Sequence, residues 1–378
     1  MKYREEAIIT EGRIPQSEDI LRADLAFHLG DMDAYDFSAL PEACAGREIP
    51  WGVFVCLHPG KRKFFSGGFF EENCEINDTG ILIKSGNPWP KQVRAIETIN
   101  RDFKLLDKSL YYCFDLQDAR ATNYADYFGT EKSIPVFQHH RRVGIPAIIT
   151  TLIRYHESPS WNIPEIIDTT SFHEKIPGVI WRGDLSGQVQ SPLGFGGTHN
   201  VVNNISLSDD QKITALRQSA RFRLCQDHQD DDRVDVGLVI RWGSPTYPEP
   251  VSFLEPLCKP RITPQEHLSH RYLLALDGYD GPSSWYWMLN TNSLVLRQDS
   301  GWEMFGDNYF HPWVHFVPLC SDASDLNDKI AWCESHLDQC ASIVANARAA
   351  WAVLFNRQFQ INRQRALFSV YNARAKYG

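Results

Sequence analysis

The stretch that decides the fold runs from Arg271 to Pro318. It opens Arg271-Tyr-Leu-Leu-Ala-Leu-Asp277-Gly278 and continues Tyr279-Asp-Gly-Pro-Ser-Ser-Trp-Tyr-Trp-Met-Leu289. Asn292-Ser-Leu-Val-Leu-Arg297 follows, and His311-Pro-Trp-Val-His-Phe-Val-Pro318 closes it. Tyr272 to Leu276 is a short apolar run stopped by Asp277-Gly278, the pattern of a buried strand entering a tight turn. Ser283 or Ser284 can cap a helix whose apolar face carries Trp285, Met288 and Leu289. Ser293 to Leu296 reads as a second buried strand and Trp313 to Val317 as a third. Strand, Gly/Ser turn, helix, strand is the unit that sets backbone N–H groups and a helix N-terminus at the carboxyl edge of a parallel sheet, where phosphates bind.

Working outward, the same alternation recurs. Val179-Ile-Trp-Arg-Gly183 opens a strand, 188–204 is a Gly-rich loop, 209–226 a helix, and Val234 to Arg241 a further strand. Before them, Trp51 to Leu57, Gly80 to Lys84, Leu110 to Phe114, Ile134 to Phe137 and Ile145 to Leu152 read as strands. Ser17 to His28 and Gln92 to Leu106 have helical spacing. This order predicts an α/β chain with largely parallel sheets. Tyr155 to Pro164 is polar and Pro-containing, as an inter-domain linker would be. The boundaries expected are 1–165, 166–340 and a helical tail 341–378, with a break near Asn356, that packs back on the first domain.

Composition narrows the class. The 378 residues are 43% hydrophobic and 22% charged, with a net charge of −9. That is a globular chain whose charge argues against nucleic acid or an anionic membrane as its main partner. No apolar run approaches the roughly 20 residues that span a bilayer. The first residues, Met-Lys-Tyr-Arg-Glu-Glu, carry no signal-type apolar core. Nine scattered cysteines without a Cys-x-x-Cys pair fit reduced thiols, and a bacterial cytoplasmic protein is expected.

Two motifs carry the chemistry. Trp181-Arg182-Gly183-Asp184-Leu185-Ser186-Gly187 can present a guanidinium and close backbone N–H groups to a diphosphate. The order from Tyr272 to Leu326 supplies the second: Tyr-Leu-x-x-x-Asp-Gly, Ser-rich turn, Asn-Ser-Leu-Val-Leu, Trp, Pro-Trp-Val-His-Phe-Val-Pro, Asp-Leu. Both resemble glycosyltransferase family 90, which includes protein O-glucosyltransferases, capsule xylosyltransferases and lipopolysaccharide-modifying transferases.

The resemblance implies a GT-B arrangement, with two Rossmann-like domains facing across a cleft. It implies an inverting transfer of a glucose- or xylose-class sugar from a UDP-sugar to a hydroxyl of a glycan, lipopolysaccharide or protein. The resemblance thus implies a glycan or lipid-linked acceptor, is compatible with peripheral membrane contact, and requires no cofactor or metal. Donor-binding residues would be Arg182, Gly183, Ser186, Gly187, Gly278, Tyr279, Gly281, Ser283, Ser284 and Arg297. The catalytic base would be Asp118, with Asp115 as the fallback, in Asp115-Leu-Gln-Asp118 before Ile134-Pro-Val-Phe137. Gln117 and Asp115 depart from the family's Asn-x-Arg-Asp pattern there. Ser284-Trp285 stands where the family often carries Arg after the Ser-rich turn, so Arg182, Arg271 or Arg297 would have to compensate. A non-catalytic carbohydrate-binding protein on a degenerate transferase scaffold is the rival reading. Asp230-Asp231-Asp232 reads as a solvated acidic run. Pro312 between His311 and His315 argues against a helical zinc pair. His139-His140-Arg141-Arg142 is either cleft-lining or surface.

Overall fold

The computed structural model describes residues 17–47, 53–118, 121–152 and 166–377. The proposed linker at Tyr155 to Pro164 lies outside them, as does Trp51. Two five-stranded sheets organise the chain. The second is wholly parallel, in the order Val234–Leu238, Ile176–Gly183, His270–Ala275, Leu294–Gln298, Val317–Leu319. Numbered along the chain this is 2-1-3-4-5, so the winding reverses between Ile176–Gly183 and His270–Ala275. In such a sheet the crevice outside the carboxyl ends at that reversal is where ligands sit.

The first sheet runs Lys63–Phe64, Phe54–His58, Tyr112–Asp115, Val136–Gln138, Ile148–Ile149. Its last three strands are parallel, but Phe54–His58 lies antiparallel to both neighbours. The expected parallel sheet is therefore only half present here: the turn at 59–62 returns the chain at once and makes the pairing with Lys63–Phe64 antiparallel, and Phe54–His58 also runs against Tyr112–Asp115.

Strand residues alternate between faces, and the cores follow that alternation. Leu273, Ala275 and Val295 point into one apolar cluster, while Tyr272, Leu274, Leu276, Leu294 and Leu296 point into another. The first of these clusters also takes Val55, Phe114 and Phe137 from the other sheet, so one continuous core joins the two. Trp285–Met288 is a four-residue helix buried on all sides rather than on one stripe. Its Trp285 ring carries the Arg297 guanidinium at 4.3 Å.

Three expectations are corrected. Trp313 to Val317 is mostly a turn, with Trp313 at φ 65° and its N–H on Phe316 O, and the strand is Val317–Leu319. The Gly-rich loop is a hairpin, Gln188–Ser191 with Gly194–Gly197, followed by the helix Thr198–Val202. The helix over 209–226 is two, Asp209–Leu216 and Ala220–Asp227, broken at Ser219.

The tail forms Leu337–Leu354 and Arg357–Tyr377. From the second helix, Phe368 and Tyr371 stack on Phe137 and Tyr112, with centroids 5.2 and 5.1 Å apart, and Tyr371 donates to Tyr111 O at 2.9 Å. Arg363 is buried, lies over Phe305 at 4.3 Å and approaches Asp24 Oδ2 at 3.8 Å. Asp24 is itself buried, with His28 Nδ1 at 3.3 Å, and burial lowers His28 to about 4. Arg363→Met therefore strands the Asp24 carboxylate, and should cost about 3–5 kcal/mol. Denaturant midpoints would show this, and adding Asp24→Asn should restore most of the loss. Equal midpoints for wild type and Arg363→Met would refute the pairing.

Candidate active site

The winding reversal of the second sheet opens onto a cavity of about 840 Å³. Its lining comes from the turns after the two strands concerned, Asp184 to Ser186 and Gly278 to Ser283, and from the hairpin and helix that follow the first of them (Gln188, Gly197, His199, Asn200). Thr246 and Tyr247 close one side. Trp89, Lys91, Arg94, Gln117, Asp118 and His140 come from the half of the chain that holds the first sheet.

Beside Lys91 and Arg94, the cavity is lined by Arg221, on the helix Ala220–Asp227. Its guanidinium donates to Asp184 O, Ser186 Oγ and Leu276 O at 2.8 Å and to Asp277 O at 2.9 Å. Those oxygens are neutral, and among the described residues no carboxylate pairs with Arg221. It lies over the Trp181 ring at 5.4 Å. The fork thus ties the ends of the two central strands together and holds a positive charge there without a direct carboxylate partner. Burial pulls the Arg221 pKa down, opposed by Asp277 and Asp184, and raises Asp277 to about 7.

Glycine is required where the turns meet. A Cβ on Gly278 would fall 2.4 Å from Ser186 Oγ and 3.1 Å from Arg221 Nη2. A Cβ on Gly197 would fall 2.7 Å from the Tyr279 hydroxyl, which bonds His199 Nδ1 at 2.6 Å. Tyr247 donates to Leu185 O at 2.5 Å and holds the first turn in place.

Ser186, Gly278, Tyr279, Gly281 and Ser283 of the expected donor-binding set line the cavity. Gly183 and Gly187 stand just behind it, Gly187 at φ 141° with its carbonyl accepting from Thr198 N. Ser284 caps the short helix without a side-chain bond. Arg182 lies outside the lining: Nη2 holds both Asp235 carboxylate oxygens at 2.8 Å, and Nη1 bonds Asp235 O and Trp181 O. Arg297 is equally engaged, forked onto Asp307 at 2.8 Å, and Arg271 is taken up by Glu334.

Asp118 lines the cavity, with Lys91 Nζ 2.6 Å from Oδ2 and His139 Nε2 3.7 Å from Oδ1. Asp115 is fully buried, accepting from Tyr124 OH at 3.0 Å and Gln117 N at 3.2 Å, and does not reach the cavity. His139, His140 and Arg141 are buried rather than superficial, and His140 lines the cavity. Burial lowers the His139 imidazole below its ordinary value. Arg221, Lys91, His199 and Asp280 were not singled out from sequence. Arg221 in Ala-Arg-Phe-Arg has the spacing of any solvated helical arginine, and no local signal separates it.

Comparisons with known proteins give matches over part of the chain. "Uncharacterized protein 035R" of Invertebrate iridescent virus 3 is 32% identical over 89 residues, 23% of this chain and 8% of the viral protein. "Protein O-glucosyltransferase 2" of Danio rerio is 31% identical over 78 residues, 21% of this chain and 16% of that one. "O-glucosyltransferase LpsA" of Dichelobacter nodosus is 26% identical over 144 residues, 38% of this chain and 42% of its own. The chain thus spans well under half the length of these relatives, and about a tenth of the viral ones. Over residues 258–353, which contain the cavity turn Gly278 to Ser283, it matches the family model described as "Glycosyl transferase family 90".

Proposed function

We propose that this protein is a glycosyltransferase of family 90, moving a glucose- or xylose-class sugar from a UDP-sugar to a hydroxyl of a glycan, lipopolysaccharide or protein. The observation that carries the reading is Arg221, a guanidinium held only by neutral oxygens at the winding reversal of a parallel sheet, in a cavity large enough for a nucleotide sugar. The match at 258–353 and the relatives named as O-glucosyltransferases support it. In this reading the two sheets belong to a GT-B pair of domains, and the donor diphosphate meets Arg221 and the N–H groups of the turns at 184–187 and 278–283. Charge that develops on the leaving diphosphate is met there without a second acid. Asp118 takes the proton of the acceptor hydroxyl as it attacks the anomeric carbon, which inverts that centre in one displacement. An oxocarbenium-like transition state follows from the sugar's own chemistry.

A thermal-shift series of nucleotides and nucleotide sugars tests this. UDP at a hundred times its dissociation constant should stabilise the fold by about 2.7 kcal/mol. An active transferase should also release free UDP slowly from its donor in water. No shift with any nucleoside diphosphate would sink the reading. A shift without UDP release, under any acceptor, would leave only a carbohydrate-binding protein.

A further inference from the structure

His140 and Asp280 on the cavity wall, with His139 beside them, form a cluster to which no role has been given above. His139, His140 and Asp280 each offer one ligand atom, and those atoms lie within 4.8 Å of one another. We propose that they form a binding site for a single divalent transition-metal cation of the zinc type. Two imidazole nitrogens and a carboxylate oxygen are a donor set that such borderline cations take.

Local geometry explains how the three meet. Neighbouring residues of a strand face opposite ways. Here, however, His139 occupies the bend between Val136–Gln138 and His140–Arg142. Both rings turn to one side, with centroids 4.3 Å apart. Asp280 arrives from the other half of the chain, on the turn after His270–Ala275. Gly281 behind it has no room for a Cβ, which would fall 2.2 Å from Met304 Sδ.

The spacing fits a cation. Ligands about 2.0–2.1 Å from a tetrahedral ion stand about 3.3 Å from one another. Asp280 Oδ2 is 3.4 Å from His139 Nε2 and 3.2 Å from His140 Nδ1. A second observation points the same way. Neither nitrogen of His140 makes a well-directed hydrogen bond, although Nδ1 stands 3.2 Å from Asp280 Oδ2, and the residue is only 4% exposed. A buried polar atom left unpaired costs about 1–3 kcal/mol, and a ligand at Nδ1 removes part of that cost. Asp118 Oδ1, 3.7 Å from His139 Nε2, is the next oxygen along the wall. This departs from the sequence reading, which places no metal in the chain. It does not depend on the transferase reading, since binding is measured without any sugar.

The test is calorimetric titration of the chelator-dialysed full chain with Zn²⁺, expected to show one ion per chain. Asp280→Asn and His140→Ala should each weaken binding by more than the roughly 10–100-fold that loss of an outer-shell partner costs. Asp230→Asn, at an exposed position of the acidic run, should leave it unchanged. X-ray absorption at the zinc edge of the loaded wild type needs no variant and should show two imidazoles and no sulfur. No bound ion, wild-type affinity in well-folded Asp280→Asn, or a sulfur shell from the free cysteines would overturn the proposal.

Discussion

Asp118→Asn is expected to lower sugar transfer by about 10²–10⁴-fold, the share that a positioned general base supplies. The substitution keeps the shape of the side chain and removes its capacity to take a proton. Lys91 Nζ fixes Oδ2 at 2.6 Å, so the carboxylate is oriented before any acceptor arrives, and Oδ1 is the oxygen left to receive the proton. Asp118 is a third exposed, and its loss should move the melting temperature little. The affinity for UDP should stay near that of the wild type, because the proposed diphosphate contacts are Arg221 and the turns of the other sheet. Asp115→Asn is the contrasting variant. Its carboxylate is sealed in the core on Tyr124 OH and Gln117 N, so it should lose stability while turnover per folded molecule stays nearly normal. Normal turnover in Asp118→Asn would remove it as the base. A dead but well-folded Asp115→Asn would move the assignment to Asp115.

Arg221→Met is expected to have the largest effect on donor binding. The arginine brings to the cavity a charge with no direct carboxylate partner, and a charge-assisted hydrogen bond is worth about 1.5–3 kcal/mol, or roughly 10–150-fold in affinity. It also leaves the carbonyls of Asp184, Leu276 and Asp277 without their shared donor, so a drop in stability should accompany the lost affinity. Arg221→Lys separates the two roles. A lysine restores the charge but not the planar fork that holds four oxygens, so it should recover part of the affinity and little of the stability. Arg182→Ala, by contrast, should leave UDP binding close to normal and act on stability, because its guanidinium is spent on Asp235, which Lys259 also holds at 2.7 Å. Calorimetry with UDP on the three variants decides the matter. If Arg182→Ala loses nucleotide affinity and Arg221→Met keeps it, the diphosphate lies against Arg182 after all.

Much of this was legible in the chain. The strands Ile176–Gly183, His270–Ala275 and Leu294–Gln298 each hold a short buried apolar run (Val179 to Trp181, Tyr272 to Ala275, Leu294 to Leu296), as a sheet covered on both faces favours. Ser186, Gly278, Tyr279, Gly281 and Ser283, which the family resemblance implied, sit three to eight residues beyond the ends of those strands and line the cavity. The break of the tail near Asn356 was visible too. Local pattern also misled where neighbours decided the outcome. Trp313 to Phe316 is apolar enough for a strand, yet the chain closes a turn there. The stretch 188–197 pairs with itself as a hairpin despite its glycines.

What the sequence by itself determined is therefore the set of strand ends and the turn chemistry that follows them, since both depend on residues adjacent along the chain. Which charges reach the cavity was decided only by tertiary structure. Arg182 and Arg221 are equally basic in sequence, but Asp235, on the strand paired beside Arg182, neutralises one while carbonyls from two strand ends hold the other. His139, His140 and Asp280, separated by about 140 residues of chain, likewise meet only because the two halves fold against each other. Electrostatic pairing acts over a few ångströms through space, and no local spacing along the chain encodes it.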